Sequence, residues 1–142
     1  MDVLNAVLLW VHLGALALGG AATFGLPAVA SQMPKATPEG RGSLVAAMML
    51  LGRLGGIAIG LLILSGLVLI WSHFGGPGAM SPWFWAKIAL VAGFIALISV
   101  SRRNAAKAIA GDRVAAGRQR YFGLASVVTL LTIVLLAVLA LG

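Results

Sequence analysis

The chain has 142 residues, of which 61% are hydrophobic and 9% charged, and a formal net charge of +7. A water-soluble domain of this length needs far more polar surface, so the composition specifies an integral membrane protein, with one domain (1–142) as the default. The absence of cysteine excludes disulfides, thiolate metal sites and cysteine nucleophiles, and no stretch outside the hydrophobic spans is long enough for a soluble catalytic domain.

About 20 apolar residues cross a hydrocarbon core, and four segments qualify, at roughly 3–30, 43–72, 81–100 and 121–141. The first has Pro27 near its end. Its start, MDVLN, carries no Lys or Arg, and its apolar run exceeds the about 7–15 residues of a signal-peptide core. Despite AVAS at Ala28 to Ser31, it therefore reads as a retained helix. Asn5, His12 and Gly19 recur every seven residues, flanked by Ala15 and Ala22. A small, polar face of this kind should turn inward in lipid.

The second span ends near Trp71 and starts between Ser43 and Arg53. Its Gly52, Gly56 and Gly60 form a G-x-x-x-G series that lets another helix approach closely. The series suits either a homodimer face or packing within the bundle, and the second is favoured because such series are frequent in membrane helices. The third span carries Lys87 within PWFWAKIAL. The fourth places Ser126, Thr129 and Thr132 at successive threes, a mildly polar side. Together these features predict an all-α fold, an integral membrane antiparallel four-helix bundle.

The connections differ in charge. SQMPKATPEGRGS (31–43) carries Lys35 and Arg41, HFGGPGAMSPW carries neither Lys nor Arg, and SRRNAAKAIAGDRVAAGRQR (101–120) carries Arg102, Arg103, Lys107, Arg113, Arg118 and Arg120. Basic residues mark the cytoplasmic side, so connections 31–43 and 101–120 are expected there and both termini outside. Trp71, Trp83 and Trp85 fit an aromatic belt at the outer boundary. The basic charge is read as a topology signal facing anionic lipid of a bacterial inner membrane, not as a nucleic-acid surface. Ala105 to Ala116 has helical propensity, which predicts a helical extension or a surface helix.

Three ionisable residues fall within or near the hydrocarbon: His12, Lys87 and Arg53. A charge at mid-membrane costs about 2.5–3.5 kcal/mol on insertion scales, so each needs a reason. His12 lies roughly 13 Å below the outer boundary, counted from Val3. Its imidazole can bond a group on another helix or ligate haem iron or another metal. Lys87 lies roughly 7–8 Å inside the boundary, counted from Pro82. Its ammonium can snorkel to the headgroups, or point inward to a carboxylate. The spans hold no Asp or Glu, so an inward carboxylate must belong to a ligand such as a porphyrin propionate. Arg53 sits at the cytoplasmic boundary if its helix begins near Leu51, and about 13 Å deep if it begins at Ser43. It can bind a propionate or a lipid phosphate by a bidentate fork, with snorkelling favoured. His73 and Met80 resemble a soft copper pair on a loop, for which a solvated loop is the favoured reading.

LWVHLGALALGGAATFGLP, WFWAKIALV and RYFGLASVVTLLTIVLL, with the basic connection before the last span, resemble the HemJ-type protoporphyrinogen oxidases and the related CopD-type copper-resistance membrane domains. These elements cover about half the chain. The HemJ resemblance implies haem b binding and activity that involve His12 and Lys87; the reading built on it has His12 ligate the iron while Lys87 and Arg53 hold propionates. It further implies oxidation of protoporphyrinogen IX. Two HemJ elements have no counterpart here. FGLPAVASQ lacks the Arg and further His that follow the Pro ending span one, and YFGLASV lacks the Asn-Glu-Pro entering span four. The resemblance therefore carries haem binding further than the oxidase activity. The alternatives are a CopD-like copper-handling or transport domain, and a non-catalytic subunit of a larger membrane complex.

Overall fold

The computed structural model describes residues 2–72, 75–79 and 81–141. Four helices account for nearly all of them: α1 (Val3–Gln32), α2 (Pro38–Ser72), α3 (Pro82–Ile109) and α4 (Arg113–Leu141). No strand occurs among the described residues. Each helix is long and apolar enough to cross a membrane. In hydrocarbon a backbone N–H or C=O finds a partner only inside its own helix, which is why the apolar runs are helical throughout. The chain is an all-α, multi-pass membrane protein, as its composition requires.

The helices are longer than the spans they contain. They have 30, 35, 28 and 29 residues, or about 42–52 Å at 1.5 Å per residue, against a hydrocarbon core of about 30 Å. The second helix starts at Pro38, five residues before the earliest expected start at Ser43. The cause is local. The Gly40 N–H donates to Thr37 Oγ1 at 3.2 Å, Pro38 occupies the first helical position, and Glu39 lies in the positive first turn.

The long connection at 101–120 is likewise helical on both sides and contracts to a three-residue turn at Ala110, Gly111 and Asp112. Asp112 N–H donates to Lys107 O and Gly111 N–H to Ala108 O, both at 3.1 Å. Gly111 has φ 102, the left-handed conformation this helix ending requires. Asp112 then caps α4, its Oδ1 accepting the N–H of Val114 at 2.9 Å and of Ala115 at 3.0 Å.

The chain divides into two compact units, Met1–Met80 and Ser81–Gly142. Each is an antiparallel helix pair. In the first, α1 and α2 meet in a regular register. Asn5 Nδ2 reaches Ser72 O at 3.5 Å, and His12 Nδ1 meets Ser65 Oγ at 2.8 Å. A Cβ built on Gly19 would sit 3.5 Å from Ala58 Cβ, one on Gly55 3.1 Å from Ala22 Cβ, and one on Gly25 3.2 Å from Leu51 Cδ1. Partners thus descend on α2 as they ascend on α1, in steps of three, four or seven. Ala15, Ala22, Ala58, Ser65 and Leu69 are buried, Ala58 completely. The expected inward face of α1 is the one that packs. Small side chains bring the backbones close enough for dispersion to hold them where lipid supplies no hydrophobic drive.

Gly55 and Gly66 meet α1, at Ala22 and His12. A Cβ on Gly52 or Gly60 would meet nothing within 4 Å. The G-x-x-x-G spacing marked the right kind of helix, while the α1 register selects a different set of its small residues.

In the second unit a polar staple joins α3 to α4. Asn104 Nδ2 donates to Ala115 O and to Gln119 Oε1, both at 2.8 Å, and Gln119 Nε2 donates to Ser101 Oγ at 3.1 Å. The buried positions of α4 include Ser126, Leu130 and Ile133, one stripe of the helix. Thr129 and Thr132 satisfy their hydroxyls on their own helix, at Ala125 O and Val128 O.

Ala58→Leu should destabilise the α1–α2 pair by about 1–3 kcal/mol through overpacking, read as a lower midpoint of thermal unfolding in detergent. Gly14→Ala, where a Cβ meets open space, should leave it unchanged or raise it. Asp112→Ala should cost about 0.5–2 kcal/mol by removing the cap, and circular dichroism on the same preparations would register no change if the cap were idle.

Candidate functional site

The depth of each ionisable residue follows from the register. Counting from Ser72, the first charged residue on α2 is Arg53, about 28 Å away along the helix and so near one full hydrocarbon thickness. Arg53 is exposed. Its helix starts at Pro38, and if the hydrocarbon is counted from Ser72, the first turns of α2 project beyond it and Arg53 falls at its edge. His12 and Ser65 lie about 18 Å from the level of Arg53 and about 10 Å from that of Asn5 and Ser72. The pair is inside the hydrocarbon, too deep for an imidazole to reach a headgroup. His12 and Arg53 are not brought together.

His12 is half-buried and Ser65 is buried. The seven-residue stripe of α1 aims the imidazole at α2, and Gly66 makes room for it. A Cβ on Gly66 would lie 3.4 Å from His12 Cε1. The hydrogen bonds of Ser65 assign the tautomer. Ser65 Oγ lies 2.6 Å from Leu61 O, a separation that two oxygens tolerate only with a proton between them. A carbonyl has none to give, so the hydroxyl proton of Ser65 points at Leu61 O. The oxygen is then an acceptor toward His12, and His12 Nδ1 must carry the proton it shares at 2.8 Å. In the neutral ring this leaves Nε2 as the nitrogen with the lone pair.

Such an arrangement is chemically directional. A ligating histidine donates its other N–H to a fixed acceptor, which sets ring orientation and raises the basicity of the ligating nitrogen. Ser65, missed in the sequence, is the fixed acceptor at His12 Nδ1. The signal was present: Ser72, Ser65 and Ala58 descend by sevens as Asn5, His12 and Gly19 ascend.

Lys87 belongs to the second unit. It is half-buried, with Nζ 4.9 Å from the centroid of the Phe84 ring, one turn nearer the start of α3. Phe84 in turn meets Trp85 edge-on, with centroids 5.8 Å apart at 84°. The ring face offers the ammonium a partner inside a helix that has no carboxylate, worth about 2 kcal/mol where water is excluded. Trp71, Trp83 and Trp85 are all exposed. Among the described residues no group of three or more His, Asp or Glu could hold a metal ion. The expected copper pair, His73 and Met80, lies outside the described residues.

The chain matches no family model, no curated protein and no solved structure.

Nitrogen-15 spectra of the histidine-labelled protein at a pH where His12 is neutral should report an Nδ1-protonated ring for it, and Ser65→Ala should release that preference. An Nε2-protonated His12 in the unaltered protein would contradict the assignment.

Proposed function

We propose that this chain is a haem b-binding redox protein of a bacterial inner membrane, with His12 as the axial ligand through Nε2. The observation that carries the reading is the Ser65 hydrogen bond at Nδ1, which orients the ring and fixes its tautomer at a depth where an uncharged imidazole is the ligand lipid tolerates best. Bound haem would supply one-electron transfer. The chain's contribution is to orient the ring, to fix its tautomer and to hold it away from water.

Lys87 lies in a span without Asp or Glu, and within its own helix pair we assign it as counter-charge to a ligand carboxylate, of which a porphyrin propionate is one example. Arg53, exposed and level with the hydrocarbon edge, fits a headgroup phosphate better than a propionate held near His12. The finer reading, from the HemJ resemblance, is removal of hydrogen from protoporphyrinogen IX with electrons passed to a quinone-type acceptor. By the positive-inside rule, connections 31–43 and 101–120 face the cytoplasm and both termini the outside.

A reduced-minus-oxidised absorption spectrum of detergent-purified protein tests the reading. A Soret band is expected that His12→Ala abolishes while helicity is retained. Ser65→Ala should keep the haem with a shifted band. A low-spin, bis-imidazole spectrum would require His12 from two protomers, and a high-spin spectrum one. Haem-replete preparations without a Soret band, or one indifferent to His12→Ala, would overturn the proposal. Copper retained without haem and lost on changing His12 would replace it by the CopD-like reading.

A further inference from the structure

Beyond the hydrocarbon, α3 and α4 continue as a short two-helix headpiece. Residues 122–141 of α4 contain no charge and match about one hydrocarbon thickness, which puts Tyr121 at the boundary and Arg118 and Arg120 just outside it. Ser101 and Gln119, bonded at 3.1 Å, mark the same level on the two helices.

One side of α4 forms an open concavity here, lined by Val114, Gly117, Arg118, Arg120, Tyr121 and Leu124. At about 100° per residue, Val114, Gly117, Tyr121 and Leu124 fall in one sector about 80° wide, with Arg118 flanking it on one side and Arg120 on the other. Val114, Tyr121 and Leu124 are 63%, 77% and 64% exposed. Gly117 forms the floor, and a Cβ there would meet nothing within 4 Å. Among the described residues of this unit the one carboxylate side chain, Asp112, accepts the N–H groups of Val114 and Ala115 instead.

We infer that this strip of α4 is a binding site for one anionic phospholipid, its phosphate between Arg118 and Arg120 and its acyl chain along Tyr121 and Leu124. The polarity runs along the helix, cationic outside the boundary and apolar inside it, which is the polarity of a lipid. A soluble acidic partner would meet the arginines but could not reach Leu124. A zwitterionic lipid would fill the apolar part without the charge match. Anionic headgroups attract basic residues at this level, and Arg adds the paired donors that a phosphate accepts.

The full chain, purified in mild detergent and equilibrated with equal amounts of phosphatidylglycerol and phosphatidylcholine, is examined by native mass spectrometry. Phosphatidylglycerol should be retained about ten-fold over phosphatidylcholine. Arg118→Gln with Arg120→Gln should remove the preference, while Arg103→Gln with Lys107→Gln, which removes the same charge elsewhere on the headpiece, should keep it. Gly117→Leu, which fills the floor without touching charge, should lower retention of phosphatidylglycerol. All altered residues are exposed, and circular dichroism verifies that each variant is folded. Equal retention of the two lipids, an unchanged preference in the Arg118/Arg120 variant, an equal loss in the Arg103/Lys107 variant, or undiminished binding by Gly117→Leu would overturn the site.

Discussion

Ser65 has one hydroxyl proton, and giving it to Leu61 O fixes what every neighbouring group must do. His12 becomes the donor at Nδ1, its lone pair moves to Nε2, and the two helices acquire a hydrogen bond between them. Such bonds are modest in membranes, averaging about 0.6 kcal/mol in measured cases, so this one does not hold α1 to α2 by itself. Its effect is on specificity. A slip of one residue along α2 would separate the ring from the hydroxyl and drive Ala22 and Ala58 into larger neighbours. Close packing of small residues supplies the attraction, and the polar pair selects the register in which that attraction is realised.

The second helix pair solves the same problem differently. Its defined polar contacts, Asn104 with Ala115 and Gln119, and Gln119 with Ser101, sit at and beyond the hydrocarbon edge. Groups placed there keep access to water while the helices assemble, so polar side chains cost less than they would at the depth of His12. The turn at Gly111 and Asp112 closes one helix and caps the next within three residues, which lets both run two turns past the hydrocarbon without fraying. The basic residues of this region are therefore displayed on ordered helix rather than on a loose loop. A phosphate can then meet two arginines rooted at fixed positions on one helix, instead of diffuse charge.

The number and identity of the spans were readable because a stretch of about 20 apolar residues has few alternatives in lipid. The helix ends were not, since hydropathy reports where the hydrocarbon stops and not where the helix does. Capping chemistry carries that information instead: Thr37, Pro38 and Glu39 announce the start of α2, and A-G-D-R announces the α3–α4 turn. The inward face of α1 was legible from the spacing of Asn5, His12 and Gly19. Its partner Ser65 required the antiparallel register, which places residues far apart in sequence at one level and so cannot be seen in either helix alone. Gly52 and Gly60 illustrate the converse. A small residue permits close approach without saying which neighbour approaches.

Sideways register and vertical position are set by separate groups, and together they fix the imidazole in space. The contacts from Asn5 to Gly25 hold α1 against α2, but they would be equally satisfied if the pair slid as a body along the membrane normal. Arg53 opposes a slide that would draw it into the hydrocarbon, at about 2.5–3.5 kcal/mol near the centre. A slide the other way would carry exposed apolar residues near the Arg53 end, among them Phe24 and Ile57, out toward water, and would draw Trp71 below the interface it favours. The imidazole of His12 is thus held at one depth by residues that never touch it.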